Sequence, residues 1–169
     1  MTGRFKIIIF LFLIVAKSQN RIPLFELHDR GELWDTMNDD GTHGAHPQRI
    51  GDYNPSMDWP AGPHSLNSLY DQRSYLRKAG VWTGGYLNDE CFLTKNGPFE
   101  IDNGIYYPIE KRLNYIENLN YEHDEAEQTI IAKWLTSKNI EITRTSRCWS
   151  QKNINDFIII TYDIVNKNE

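Results

Sequence analysis

The chain has 169 residues, 40% of them hydrophobic, with 18 Lys and Arg against 23 Asp and Glu, a formal net charge of −5. That length suits one domain, which buries most of its unfolded surface without needing covalent staples. The acidic balance disfavours nucleic acid and anionic membranes as partners, since both reward a basic surface.

The N-terminus reads as a cleavable export signal. Arg4 and Lys6 precede an unbroken apolar run from Ile7 to Ala16, and Ala16-Lys17-Ser18 offers small residues at the two positions a signal peptidase reads. Cleavage is expected between Ser18 and Gln19. The ten-residue run is about half of the roughly 20 residues a membrane-spanning helix needs. Removing residues 1–18 takes three of the 18 basic residues and none of the 23 acids, leaving 151 residues and a net charge of −8. The expected product is secreted or displayed at the cell surface, with no membrane span after cleavage.

Residues 19–78 are expected to form a loop-rich segment packed on the domain. Asp, Asn, Gly, Pro and His are dense from Asn38 to Pro47, and the dipeptides Asn54-Pro55, Trp59-Pro60 and Gly62-Pro63 each set a turn. Ile22–Leu27 is a short strand candidate, Gly31–Met37 a strand or a single turn, and Leu66–Lys78 carries a weak helical spacing. Residues 79–169 are expected to be antiparallel and β-rich. Ala79–Leu87 and Glu90–Thr94 are apolar runs joined by Asn88-Asp89, which reads as a β-hairpin. Gly84-Gly85 within it signals a bulge or a close backbone approach. Residues 98–128 form a polar insertion whose acidic end, 122–127, is expected to be exposed and to start a short helix. Thr129–Thr136, Ile140–Trp149 and Phe157–Val165 read as three successive strands with short connections, and Ile140, Ile142, Arg144 and Ser146 fall on one face. The fold class expected is all-β, an antiparallel β-sandwich-like domain. Phe157–Val165, the most hydrophobic strand, is followed by only four residues, which suggests truncation of a longer parent protein.

Several segments together resemble the N-terminal module of large secreted proteins of Bacteroidota and related marine bacteria. Ala79-Gly80-Val81-Trp82-Thr83-Gly84-Gly85-Tyr86 is similar to their hairpin near the start. Ala132–Ser137 with Ile140–Arg144, and Ser146-Arg147-Cys148-Trp149-Ser150 with Asp156–Tyr162 and Asn166, are similar to their next two blocks. Asp39-Asp40-Gly41 and Met57–Gly62 fit the same order. Cys148 departs from it, standing where a small residue is usual. The resemblance implies export and a longer parent, often with a sorting domain for type IX secretion. It implies no catalytic residues.

The residues that could carry chemistry are few. Cys91 and Cys148 could form one disulfide in an oxidising compartment, closing a loop of about 57 residues and adding on the order of 4 kcal/mol. The alternative is two free buried thiols. His43 and His46 lie close to Asp39 and Asp40, a donor set suited to zinc or calcium. A polar turn with side chains bonded to its own backbone explains the same residues. No nucleophile elbow, phosphate loop or paired-carboxylate signature stands out, so no catalytic residue and no cofactor is assigned. Among the aromatics, Trp82, Trp134 and Trp149 fall in strands and are expected in the core. Trp59, between Asp58 and Pro60, is the best candidate for an exposed ligand contact, with a glycan or another extracellular protein module as partner. The leading expectation is a non-catalytic structural or adhesive module. A carbohydrate-binding module and a metal-dependent hydrolase are the alternatives.

Overall fold

The structure is a computed structural model that describes residues 21–44, 55–61, 74–97 and 100–168. The expected signal segment, Ser18, Gln19, His46 and most of the 66–78 spacing lie outside them. The described residues are all-β. They form β1 (Phe25–His28), β2 (Asp35–Asn38), β3 (His43–Gly44), β4 (Lys78–Ala79), β5 (Trp82–Leu87), β6 (Glu90–Lys95), β7 (Ile105–Tyr106), β8 (Glu110–Leu113), β9 (Gln128–Leu135), β10 (Ile140–Cys148) and β11 (Ile159–Asn166). Three antiparallel sheets result: β1-β2-β3-β4, β11-β10-β9 with β7 and β8 both on the far side of β9, and the hairpin β5-β6. No helix occurs among the described residues, so the helical start expected at 122–127 is not formed. Asn114 takes over that loop: its side chain accepts from Glu122 N at 3.0 Å and donates to the Glu122 carbonyl at 2.7 Å.

The meander β9-β10-β11 follows from alternation. Along β10, Ile142, Arg144, Ser146 and Cys148 are buried and the residues between them are half-buried. Across the register Ile142 faces Trp134 and Arg144 faces Ala132. The turn between β9 and β10 is sealed by Thr136, whose N–H donates to the Ile140 carbonyl at 2.9 Å, and by Asn139 at φ 55. The β5-β6 hairpin turns on Asn88 and Asp89, both at positive φ (51 and 64), the backbone of a two-residue mirror-image turn. Its register runs unbroken from Trp82↔Lys95 to Leu87↔Glu90, so the glycine pair marks no bulge. It marks a close approach: a Cβ on Gly85 would stand 3.2 Å from the Phe92 ring. Trp82, expected in the core, is 62% exposed. The hairpin is a separate two-stranded sheet, and Trp82 lies on its solvent face beside Tyr86.

Trp134, Ala132 and Ile142 make the apolar centre, flanked by Val81, Tyr106, Ile109 and Ile140. Around it, sixteen buried polar or charged residues outnumber seven buried hydrophobic ones among the described residues. The interior is therefore held by hydrogen bonds as much as by apolar contact. β1 and β2 pack on β9, laying the small sheet over the larger one.

Candidate functional site

Residues 35–40 and Asp58 supply the interior with its buried carboxylates. Asn38-Asp39-Asp40-Gly41-Thr42 joins β2 to β3, and every one of these residues is buried. Asn38 N–H donates to the Thr42 carbonyl at 3.0 Å. Asp40 Oδ1 accepts from Thr42 N at 2.9 Å and Thr42 Oγ1 at 2.6 Å. Gly41 sits at φ +83 with the Trp134 ring against it, and a Cβ there would lie 2.5 Å from ring carbon Cζ2. Only glycine satisfies both the angle and the space.

Arg144 reaches this turn from β10. One terminal nitrogen, Nη1, donates to the carbonyls of Gly41 (3.1 Å) and Thr42 (3.0 Å), and the other, Nη2, donates to the Asn38 carbonyl (2.8 Å). The turn thus receives its positive charge from the chain itself. Burial pushes the guanidinium pKa down, while Tyr162, Asp40 and Asp35 oppose that shift. Asp39 is turned away toward Arg21, which holds both its oxygens at 3.1 and 2.5 Å. Burial nonetheless raises the Asp39 pKa, with Arg21 opposing.

His43 leaves the turn on β3, and its Nδ1 meets Asp35 Oδ2 at 2.8 Å. Asp35 is fully buried, and its other oxygen accepts from Thr36 N at 3.0 Å and Met57 N at 3.2 Å. Asp39, Asp40 and His43 therefore point to three different partners. Among the described residues, no three His, Cys, Asp or Glu side chains converge as a metal-holding group.

A second buried cluster was not foreseen. His28 on β1 lies under β9 and β10, with Nδ1 at 2.9 Å from Gln128 Oε1 and Nε2 at 2.8 Å from Ser146 Oγ. Gln128 donates its amide to Asp29 at 2.7 Å, so its oxygen is left as the acceptor. That orientation puts the His28 proton on Nδ1 and makes Nε2 the acceptor for Ser146. Burial lowers the His28 pKa to about 4, so the ring is neutral at pH 7. Cys148 joins the cluster, donating to Gln128 at 3.1 Å, and burial pushes its thiol up to about 12. The disulfide open to Cys91 and Cys148 is not formed: both are free. Cys91 is exposed on the separate hairpin, whereas Cys148 faces inward on β10.

Two exposed aromatics border a shallow, open cleft of about 550 Å³. It is lined by Leu33, His43, Met57, Trp59, Tyr75, Leu76 and Ala79. Trp59 is 43% exposed and Tyr75 is 70% exposed. Backbone bonds hold the 55–61 strip in place. Trp34 and Asp58 exchange N–H donors at 3.1 and 2.9 Å, Thr36 N donates to the Pro55 carbonyl at 3.1 Å, and Tyr75 N donates to the Met57 carbonyl at 3.3 Å. The Trp59–Pro60 peptide is cis. Sequence reasoning placed Trp59 at a surface but missed Tyr75 and the Asp35 that anchors His43. No nearby pattern connected residues 35, 59 and 75.

The cleft offers aromatic faces and one imidazole whose orientation is fixed by a buried carboxylate. Its other polar tips are the Tyr75 hydroxyl and the Trp59 indole N–H, while Leu33, Met57, Leu76 and Ala79 are apolar. No protein-family model, curated protein or solved structure matches the chain. Fold and cleft define the class: an all-β protein with an aromatic-walled cleft on its four-stranded sheet.

Proposed function

We propose that the chain is a non-catalytic adhesive β-module, exported by its N-terminal segment, that engages its ligand through the Trp59–Tyr75 cleft. The observation carrying this reading is the cleft itself: exposed Trp59 on the strip pinned by backbone bonds, exposed Tyr75 bonded to that strip through Met57, and His43 fixed by Asp35. The reactive-looking groups elsewhere, His28, Ser146 and Cys148, spend their hydrogen bonds in the interior, on one another, on Gln128 and on the Ile130 carbonyl. The resemblance to N-terminal modules of secreted proteins supports the export part of this reading.

A carbohydrate ligand is favoured by the two aromatics, because sugar rings present C–H faces that stack on Trp and Tyr while their hydroxyls bond at the rim. The test is a glycan array with the purified protein, repeated with Trp59→Ala and Tyr75→Ala. Retention that both variants abolish supports a glycan-binding module. Silence of all three proteins removes the carbohydrate reading. N-terminal sequencing of protein recovered from the medium tests export, with Gln19 expected as the first residue.

A further inference from the structure

β11 is the outer strand of the larger sheet. Among the described residues it pairs with β10, and no strand pairs with its other side. Bare amides and carbonyls on such an edge invite a further strand, and edges are commonly blunted by lysine, proline, a bulge or an inward-pointing charge. β11 has none of these. Its eight residues, Ile159–Asn166, pair with β10 without interruption and include one charge, Asp163. Ile159, Tyr162, Ile164 and Val165 are all exposed.

One hydrogen bond fixes which groups face outward. Lys167 N donates to the Asn139 carbonyl at 2.8 Å, one step beyond the Ile140↔Asn166 pair. Odd-numbered residues of β11 therefore bond to β10, and alternation turns the N–H and C=O of Ile160, Tyr162 and Ile164 to the open edge. The side chains of these same residues lie on the inner face, since they pair with the inward-facing Ser146, Arg144 and Ile142.

A second copy approaching about a two-fold axis normal to the sheet keeps inner face with inner face, so opposed residues share parity. Two registers overlap the strand well. Centring on Asp163 sets two carboxylates opposite each other in the closer type of pair, which is repulsive. Centring on Tyr162 opposes Tyr162 to itself and Ile160 to Ile164 on the inner face. On the outer face it opposes Thr161 to Asp163 and Ile159 to Val165. It also matches every outward amide from 160 to 164 with a carbonyl, giving about six bonds between copies. We propose that β11 is a homodimerisation strand, joining two copies of this chain edge to edge in the register centred on Tyr162.

Sedimentation of the purified protein over a micromolar concentration series tests this, with a reversible monomer–dimer equilibrium expected. Ile164→Lys changes an exposed side chain, so the variant should fold, as a thermal melt by circular dichroism checks. It should weaken the dimer about tenfold or more by placing lysine on the edge. The register has its own test in a Cys91→Ser background. A mixture of Ile159→Cys and Val165→Cys chains should form a disulfide-linked pair under mild oxidation, and neither variant should do so alone. A protein that stays monomeric throughout overturns the proposal. So does a dimer that persists in folded Ile164→Lys, or cross-linking of Thr161→Cys with Val165→Cys in place of the 159–165 pair.

Discussion

Replacing Arg144 by Met tests whether the interior depends on one buried guanidinium. Met preserves most of the stem's volume and removes three donors from the carbonyls of Asn38, Gly41 and Thr42. The Asn38 carbonyl keeps Gly41 N as a donor at 3.3 Å, and the Thr42 carbonyl keeps Asn38 N at 3.0 Å. Gly41 thus suffers most, and a buried polar group left unpaired costs roughly 1–3 kcal/mol. Asp40 and Asp35 also lose the cation near them. Relief of the guanidinium's own desolvation offsets part of this, yet breaking a buried charge arrangement from one side still costs about 3–5 kcal/mol. For a domain of this size that corresponds to a fall in melting temperature of roughly 6–20 °C. Trp134, seated on Gly41, gives a fluorescence signal at the site during urea unfolding. Arg147→Met is the control: it lies on the same strand facing outward, with one bond of 3.4 Å to Thr161, and should stay within about 0.5 kcal/mol of wild type. If Arg144→Met loses less than about 1 kcal/mol, the reasoning fails and the turn holds itself.

Three further outcomes concern other buried groups. His28 has its folded pKa lowered to about 4 from 6.5, so the unfolded chain binds the extra proton. The stability this gives is complete above pH 6.5 and is lost as pH falls toward 4, by about 3 kcal/mol. Urea midpoints from pH 7 to 4 should fall in wild type and change less in His28→Gln; equal slopes would show that other groups govern acid unfolding. Asp39, with its pKa raised, acts in the opposite direction, losing stability as pH rises through its folded value, so the wild-type slope is a net of the two. A thiol reagent at pH 8 should titrate one cysteine of the native protein quickly, Cys91, while Cys148, buried and held up to about 12, reacts only on unfolding. Two fast thiols would refute the placement of Cys148. Gly41→Ala forces a Cβ into the Trp134 ring at positive φ and should destabilise by on the order of 3 kcal/mol in denaturant titration.

What was legible in the sequence depended on how local its cause was. Alternation wrote β9 and β10 into the chain, and Asn88-Asp89 announced the hairpin, since two adjacent residues tolerant of positive φ suffice for that turn. β8 was hidden because Glu110-Lys111-Arg112-Leu113 has no apolar rhythm. It is a strand because its backbone pairs with Ile131 to Gln128 on β9. Asp39 and Asp40 read as metal-ligand candidates or as a polar turn bonded to its own backbone, with no local sign that the turn is buried. Their burial is caused by Arg144, more than a hundred residues away, and by Arg21. The available signal was Arg144 itself. A cation on the apolar side of an alternating strand needs buried acceptors, and a turn dense in Asn, Asp and Gly offers them. Trp82 went the other way: nothing local says that its hairpin stands apart as a two-stranded sheet with a face in water.

The buried turn also bears on the cleft. The Thr42 carbonyl, held by Arg144, directly precedes His43, and β3 has only two residues with which to hold that imidazole in place. Its position is fixed from three sides: Arg144 on the carbonyl before it, Asp35 on Nδ1, and the pairing of His43 with Met37 and Ala79. Asp35 in turn binds Met57 N, which places the strip carrying Trp59. The interior polar network and the aromatic wall are thus one connected structure. Asp35→Asn keeps the shape and weakens both links, because a neutral amide accepts less strongly than a carboxylate. It should therefore lower ligand retention at the cleft by more than the loss of a single contact, while Trp59→Ala lowers retention and leaves the urea midpoint unchanged. Should Asp35→Asn leave retention intact despite a lowered midpoint, the cleft would be independent of the turn beneath it, and the wall would owe its geometry to the 55–61 strip alone.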